Sequence, residues 1–393
     1  MTLLQTYNSA PITIVSGSGC ELVDDRGQRY LDCIGGLAVS ALGHAHPAIA
    51  EAVATQARTL THASNLYHQE PAGTLALELC KRSGMSGAFL CNSGTEANEA
   101  AIKLARKLAY RSGDLSRTKI LACTGSFHGR TLGSLAATDN RSYREGFGPL
   151  AGRFDFVPFG DASALSSAID RQVAAFIVEP IQGESGVHVA SQDFLTEARR
   201  LCDERGALLI FDEIQCGMGR TGSLFAFERF AVRPDVVTIA KALANGLPIG
   251  AVLANERAAA GFQPGDHGST FGGSPVPCAA ALAHLRLRDV LDLDSRVLAR
   301  SSELFDALTQ LARATPDVFE PPRGMGLLIG VPVRSPYEAA AIVARARQQG
   351  LLLGTAGGNT LRFAPPLIIS QAEVSQSVSL LAAAIRSISL TAN

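Results

Sequence analysis

No apolar stretch in this chain reaches the roughly 18–20 residues needed to cross a bilayer. Met1 to Ala10 lacks the basic and apolar segments of a secretory leader. An excess charge of either sign is missing too: 35 basic residues face 36 acidic ones, and no long basic run offers nucleic acid a surface. The eight cysteines include no C-x-x-C pair. A chain this long and apolar needs no disulfide staples, so the expectation is reduced, mostly buried thiols. His44 and His46 form an H-x-H pair, but no third ligand follows in a metal-binding pattern, so a loop role is expected rather than a metal site. Internal repeats and low-complexity linkers are also absent. These absences predict a cytoplasmic enzyme with no membrane, nucleic-acid or metal partner.

Lysine is scarce. Only five of the 35 basic residues are lysines: Lys81, Lys103, Lys107, Lys119 and Lys241. A surface charge is served equally well by arginine, and this chain nearly always has arginine. Imine chemistry does not allow that exchange, because a guanidinium stays protonated whereas an ammonium can lose its proton. Lys241 is the only lysine after residue 119.

What is present is an ordered alternation of elements. Residues 12–34 alternate apolar and polar positions between glycines and predict a short antiparallel meander. Helices are predicted from His46-Pro47 to about residue 59, over 71–83 and over 95–112. Apolar strands are predicted at 119–123, 154–157, 174–179, 207–212, 236–240 and 249–253. Strands separated by helical segments imply a mostly parallel sheet covered on both faces, an α/β fold. Past the Gly/Pro-rich stretch 261–277, one long helix is predicted over about 278–313. Strands at 326–332, 350–353 and 360–363 follow, with helices at 336–349 and 371–388. The expected organisation is a large domain over 46–277 and a smaller α+β domain built from 1–45 and 278–393.

Three segments carry chemistry. Asn92-Ser93-Gly94-Thr95-Glu96-Ala97-Asn98 lies between an apolar strand and a helix, where free amides, hydroxyls and the helix dipole suit an anion such as phosphate. Taken alone, these residues are better read as a plain N-cap followed by acidic first-turn residues. Leu208 to Asp212 is an apolar strand ending in a carboxylate, either a ligand group at the sheet's carboxyl edge or a loop-bridging aspartate. Asp235 to Lys241 is a second apolar strand, and it runs directly into a lysine, a costly ending unless that lysine has a task. One crossover fits between Asp212 and Lys241, so both groups could face one ligand. Gly217-Met218-Gly219-Arg220-Thr221-Gly222 matches G-x-G-x-x-G, but no helical pattern opens on its third glycine, as a dinucleotide site requires.

Taken together, several motifs resemble the class III aminotransferases. They are Ser93 to Asn98, Phe127-His128-Gly129-Arg130, Glu179-Pro180-Ile181-Gln182-Gly183-Glu184, Asp212 to Gly222 and Lys241-Ala242-Leu243. Gly43 to Pro47, Gly268 to Gly273 and Arg323 to Gly330 extend the likeness, in order, over essentially the whole chain. Within that family the likeness is to the N-acetylornithine branch, through Ala41 to Pro47, Gln215 to Gly222 and Leu361 to Pro365.

The resemblance implies a fold-type-I enzyme with pyridoxal 5'-phosphate as cofactor, working as a homodimer with shared active sites. Lys241 would carry the cofactor and act as general base and acid, and Asp212 would pair with its pyridine nitrogen. Ser93, Gly94 and Thr95 would cradle the phosphate, with Thr270 reaching it from the partner subunit. Phe127 and Ile214 would cover the two ring faces, and Gln215 would meet the phenolic oxygen. Arg362 would bind the α-carboxylate of glutamate, Glu184 would neutralise it when an amine-ended substrate is bound, and Arg130 would hold the carboxylate of an acylated ornithine. The reaction implied is transfer of the δ-amino group of N2-acetyl-L-ornithine to 2-oxoglutarate, in arginine biosynthesis. Succinylornithine, a lysine precursor, 4-aminobutyrate and ornithine are alternative donors, and a racemase or aminomutase is an alternative chemistry. Leu37, Ser185 and Ser274-Pro275-Val276-Pro277 depart from the family pattern, and an apolar Leu37 favours a neutral, acylated chain over free ornithine.

Overall fold

A computed structural model of the chain describes residues 3–389; the outermost residues of the smaller domain expected from 1–45 and 278–393, namely 1–2 and 390–393, lie outside them. Its centre is a seven-stranded sheet. From one edge to the other run Gly87–Cys91, Gly250–Ala254, Val236–Ile239, Leu208–Asp212, Val173–Val178, Lys119–Cys123 and Phe154–Val157. Gly250–Ala254 is antiparallel to both of its neighbours, and the pairs among the other five consecutive strands are all parallel. The inner strands are buried along their whole length, which is why they read as continuous apolar runs rather than alternating ones.

Helix Gly94–Arg111 shows how the covering layer is specified. Ser93 accepts a hydrogen bond from the Glu96 amide at 3.3 Å, and the Glu96 carboxylate reaches back to the Asn92 amide at 2.5 Å. This satisfies amides that the helix start would otherwise leave open. Its inner face, Ala97, Ala101, Leu104 and Ala105 among others, packs on the sheet. Small residues there let the helix approach closely, and so bring its first turn to the sheet's carboxyl edge.

The N-terminal strands Ile14–Ser18, Glu21–Asp24 and Arg29–Asp32 form the antiparallel meander read from the sequence, and Leu351–Leu352 joins them by pairing in parallel with Arg29–Asp32. A second four-stranded sheet contains Arg323–Met325, Leu328–Pro332, Thr360–Phe363 and Gly354–Ala356. Two expectations are corrected here. The helix predicted over 278–313 is two helices, Pro275–Val290 and Leu293–Ala314, because Asp292 turns left-handed at φ 46°. The strand predicted over 326–332 is present but begins at Leu328, because Gly326, at φ 61°, and Leu327 form the turn of a hairpin with Arg323–Met325. Among the described residues no helix is long and apolar enough to cross a membrane. All eight cysteines are free and all but Cys80 are buried.

Candidate active site

Register brings the chemistry together. Asp212 ends its strand opposite Thr238 of the neighbouring parallel strand, and Lys241 follows three residues later. Both groups thus reach the same carboxyl edge, where open α/β sheets bind ligands. Lys241 opens a short 3-10 turn, Lys241–Ala244, with φ 42°. That left-handed backbone costs a residue with a side chain about 1–2 kcal/mol.

The cavity above them has a volume of about 380 Å³. Ser93, Gly94, Thr95, Phe127, Arg130, Glu184, Asp212, Ile214, Gln215 and Lys241, ten of the residues singled out from the sequence, line it. Arg362 stands behind Glu184, Leu37 is half exposed at the chain's surface, and Thr270 is exposed on a loop away from this wall. Val39, two residues beyond Leu37, is the side chain from that segment that lines the cavity.

Asp212 is buried and fully engaged. Its Oδ1 accepts from the Ile214 amide at 3.0 Å; its Oδ2 accepts from Asn98 Nδ2 at 2.7 Å and from His128 Nδ1 at 2.8 Å. Asn98 is held in turn by Thr238, whose hydroxyl donates to its Oδ1 at 2.8 Å. Desolvation holds the Lys241 amine below an ordinary lysine's pKa, with Arg362 adding to it and the carboxylates of Glu184, Asp212 and Glu179 opposing. More of the amine is therefore uncharged and able to act as nucleophile or base.

The wall opposite is an ion pair. Arg362, 2% exposed on Thr360–Phe363, donates from Nη1 to Glu184 Oε1 at 2.5 Å, to the Gly183 carbonyl at 3.1 Å and to Gln215 Oε1 at 3.3 Å. Gln215 Nε2 also donates to Glu184 Oε1 at 3.0 Å. Burial works against ionisation of Glu184, but Arg362, with Lys241 and Gln215, outweighs it and holds that carboxyl below its usual value. Arg130 is exposed at the mouth, its guanidinium 3.5 Å from the centre of the Tyr143 ring.

Three residues were missed in the sequence. Asn98 and His128 lie inside the family motifs, but their partnership with Asp212 spans strands and loops that no spacing reveals. Glu179, also on the cavity, accepts from the Phe127 amide at 3.0 Å; burial and the nearby Asp212 push its carboxyl well above the usual range. The remaining motif residues have other tasks. His44 pairs with Asp32 at 2.8 Å, His46 caps helix Pro47–Thr59, and no helix opens at Gly222. Arg220, between those glycines, is buried and donates to the carbonyls of Leu327 and Pro365.

The residues fit a phosphorylated pyridine aldehyde. At the start of Gly94–Arg111 the Gly94 and Thr95 amides lack intrahelical acceptors, and both residues line the cavity. A side chain at Gly94 would run into Ile214 at 2.8 Å, and one at Gly129 into Thr95 Oγ1, so glycine at both keeps this cradle clear. A buried carboxylate and a desolvated lysine complete the set.

This fold with this cavity is that of a fold-type-I pyridoxal-phosphate enzyme. The aminotransferase class-III model matches residues 4–385, and the chain belongs to that family. It is 47% identical to the acetylornithine aminotransferase of Clostridium acetobutylicum over 96% of this chain and 97% of that one. It is 44% identical to that of Methanocaldococcus jannaschii, over 94% and 92%. Among solved structures, the N-acetylornithine aminotransferase of Stenotrophomonas maltophilia superposes with TM-score 0.86 at 38% identity, covering 98% of each chain. The ornithine aminotransferase of Toxoplasma gondii superposes with TM-score 0.95 at 32% identity, covering 99% of this chain and 94% of that one. The chain is an aminotransferase, and pyridoxal 5'-phosphate is its cofactor.

Proposed function

We propose that this enzyme transfers the δ-amino group of N2-acetyl-L-ornithine to 2-oxoglutarate, as a cytoplasmic homodimer whose two subunits share each site. The observation that carries the reading is the Glu184–Arg362 pair on the cavity wall. One pocket must accept glutamate, whose carboxylate adjoins its reacting amine, and then a chain with no carboxylate at that end. Arg362 serves the first; Glu184 neutralises Arg362 for the second. The names of the relatives support the same donor.

Ser93, Gly94 and Thr95 would hold the cofactor's phosphate, joined by Thr270 of the partner subunit. Asp212 would face its ring nitrogen, Phe127 and Ile214 its faces, Gln215 its phenolic oxygen and Lys241 its reactive carbon. The bound cofactor supplies an electron sink for charge that develops on the substrate carbon. Lys241, with its lowered pKa, takes the proton from that carbon and returns it. Arg130 anchors the far carboxylate of the donor by a two-pronged hydrogen bond. The apolar Val39, which lines the cavity two residues beyond Leu37, favours an acylated chain over a second ammonium. In domain terms, residues 46–277 would carry the cofactor and the two terminal parts would close over it.

A panel of amino donors with glutamate formation as readout tests the proposal. N-acetylornithine should give the highest kcat/KM; a higher value for ornithine or 4-aminobutyrate would overturn the donor assignment. Turnover without an added 2-oxo acid would point to a mutase or racemase instead.

A further inference from the structure

Glu184 sits in the turn between two short paired strands, Ile181–Gln182 and His188–Val189, and the peptides around it are tied down. The Gly183 carbonyl accepts from Arg362 at 3.1 Å, the Glu184 carbonyl from the Gly357 amide at 2.8 Å and the Gly186 carbonyl from Arg323 Nε at 2.8 Å. One further tie comes from a side chain next to the carboxylate itself. Ser185 Oγ donates to Gln182 Oε1 at 3.1 Å. Gln182 is buried, and its Nε2 donates to the Thr124 carbonyl at 2.9 Å, which turns its oxygen toward Ser185. The space for this arrangement is specific: a side chain at Gly125 would come within 3.3 Å of Ser185 Cβ, and one at Gly357 within 3.2 Å of the Ser185 backbone.

We propose that Ser185 is a specificity-determining positioning residue, whose hydroxyl fixes the peptide beside Glu184 and biases its carboxylate toward Arg362. The inference rests on the reading of Glu184 and Arg362 as a gate. With Ser185 adding to the ties at the Gly183, Glu184 and Gly186 carbonyls, Glu184 leaves Arg362 only by rotating its own side chain, because the peptide cannot follow. The tie thus favours the neutralised pocket, which suits a donor without a carboxylate beside its reacting amine. It disfavours the open pocket, which glutamate and 2-oxoglutarate require.

The test compares the two half-reactions of the holoenzyme, with N-acetylornithine and with glutamate, in wild type, Ser185→Ala, Gln182→Met, the double variant and Glu184→Ala. Ser185→Ala should move the ratio of kcat/KM values about 2- to 10-fold toward glutamate, the range that one neutral hydrogen bond supports. The change should lie mainly in the glutamate KM. Gln182→Met should act in the same direction, and the double variant should add little, since both remove one bond. An unchanged ratio in Ser185→Ala, or equal losses in both half-reactions, while Glu184→Ala shifts the ratio, would overturn the role of Ser185 and leave the gate standing. A Glu184→Ala ratio equal to wild type would overturn the gate, and this inference with it.

Discussion

Asn98 and Asp212 are 114 residues apart in the chain, yet Asn98 Nδ2 donates to Asp212 Oδ2 at 2.7 Å beneath the cavity floor. One residue comes from the inner face of a helix and the other from a strand end, so the bond fixes helix, sheet and carboxylate at once. Asn98→Ala would leave Oδ2 with His128 alone. Loss of a hydrogen bond to a charged group, about 1.5–3 kcal/mol, should weaken cofactor binding about 10- to 100-fold. Equilibrium titration of the apoenzyme with pyridoxal phosphate checks this, and unchanged affinity would remove Asn98 from the site.

Lys241 should be the only residue that borohydride fixes to the cofactor. One peptide, containing Lys241, should carry the label, and label on another lysine would refute its assignment. Lys241→Ala should lower the rate of proton transfer by about 100- to 10,000-fold, with the overall fold retained by circular dichroism.

Removing Glu184 should divide the two half-reactions. Glu184→Gln leaves Arg362 charged and less well paired, so the acetylornithine half-reaction should slow by about 10- to 100-fold while the glutamate one changes little. Single-turnover absorbance measurements with each substrate distinguish the two; equal losses would contradict the gate. Arg362→Lys keeps the charge but loses the fork, and should instead raise the KM for glutamate.

Acid should loosen the floor of the site through His284. This residue is buried on Pro275–Val290, and its Nδ1 donates to the Leu243 carbonyl at 3.2 Å, inside the turn that begins at Lys241. Burial pushes its pKa from 6.5 to about 4. The unfolded chain therefore takes up this proton first on acidification. The stability His284 contributes is full above about pH 6.5, falls as the pH drops, and has been lost by about pH 4, a change of about 3 kcal/mol. Urea denaturation at pH 7 and pH 4.5 should show a smaller loss for His284→Leu than for wild type; equal losses would assign the acid sensitivity elsewhere.

Much of this was legible in the sequence because buried parallel strands are continuous apolar runs with chemistry at their ends. Asp212 and Lys241 were readable for that reason, and helix Gly94–Arg111 was placed to within a residue of its ends by Ser93 and its apolar spacing. The break at Asp292 was not, because the Leu/Arg pattern continues through it without glycine or proline and aspartate tolerates the left-handed turn. Nor could spacing reveal that Glu179 faces the cavity, that Val39 lines the wall beside Leu37, or that Ser185 meets Gln182. Those relationships depend on which loops the sheet order brings side by side.

The pairing of Arg29–Asp32 with Leu351–Leu352 has a consequence for biosynthesis. The ribosome must translate some three hundred further residues before the early strand meets its late partner. The central sheet, whose strands all lie between Gly87 and Ala254, has no such wait. During translation the layer that carries Asp212 and Lys241 can therefore assemble first, while the N-terminal meander waits with one edge open. The segment after it, which carries Val39, gains its last neighbours only near the end of synthesis.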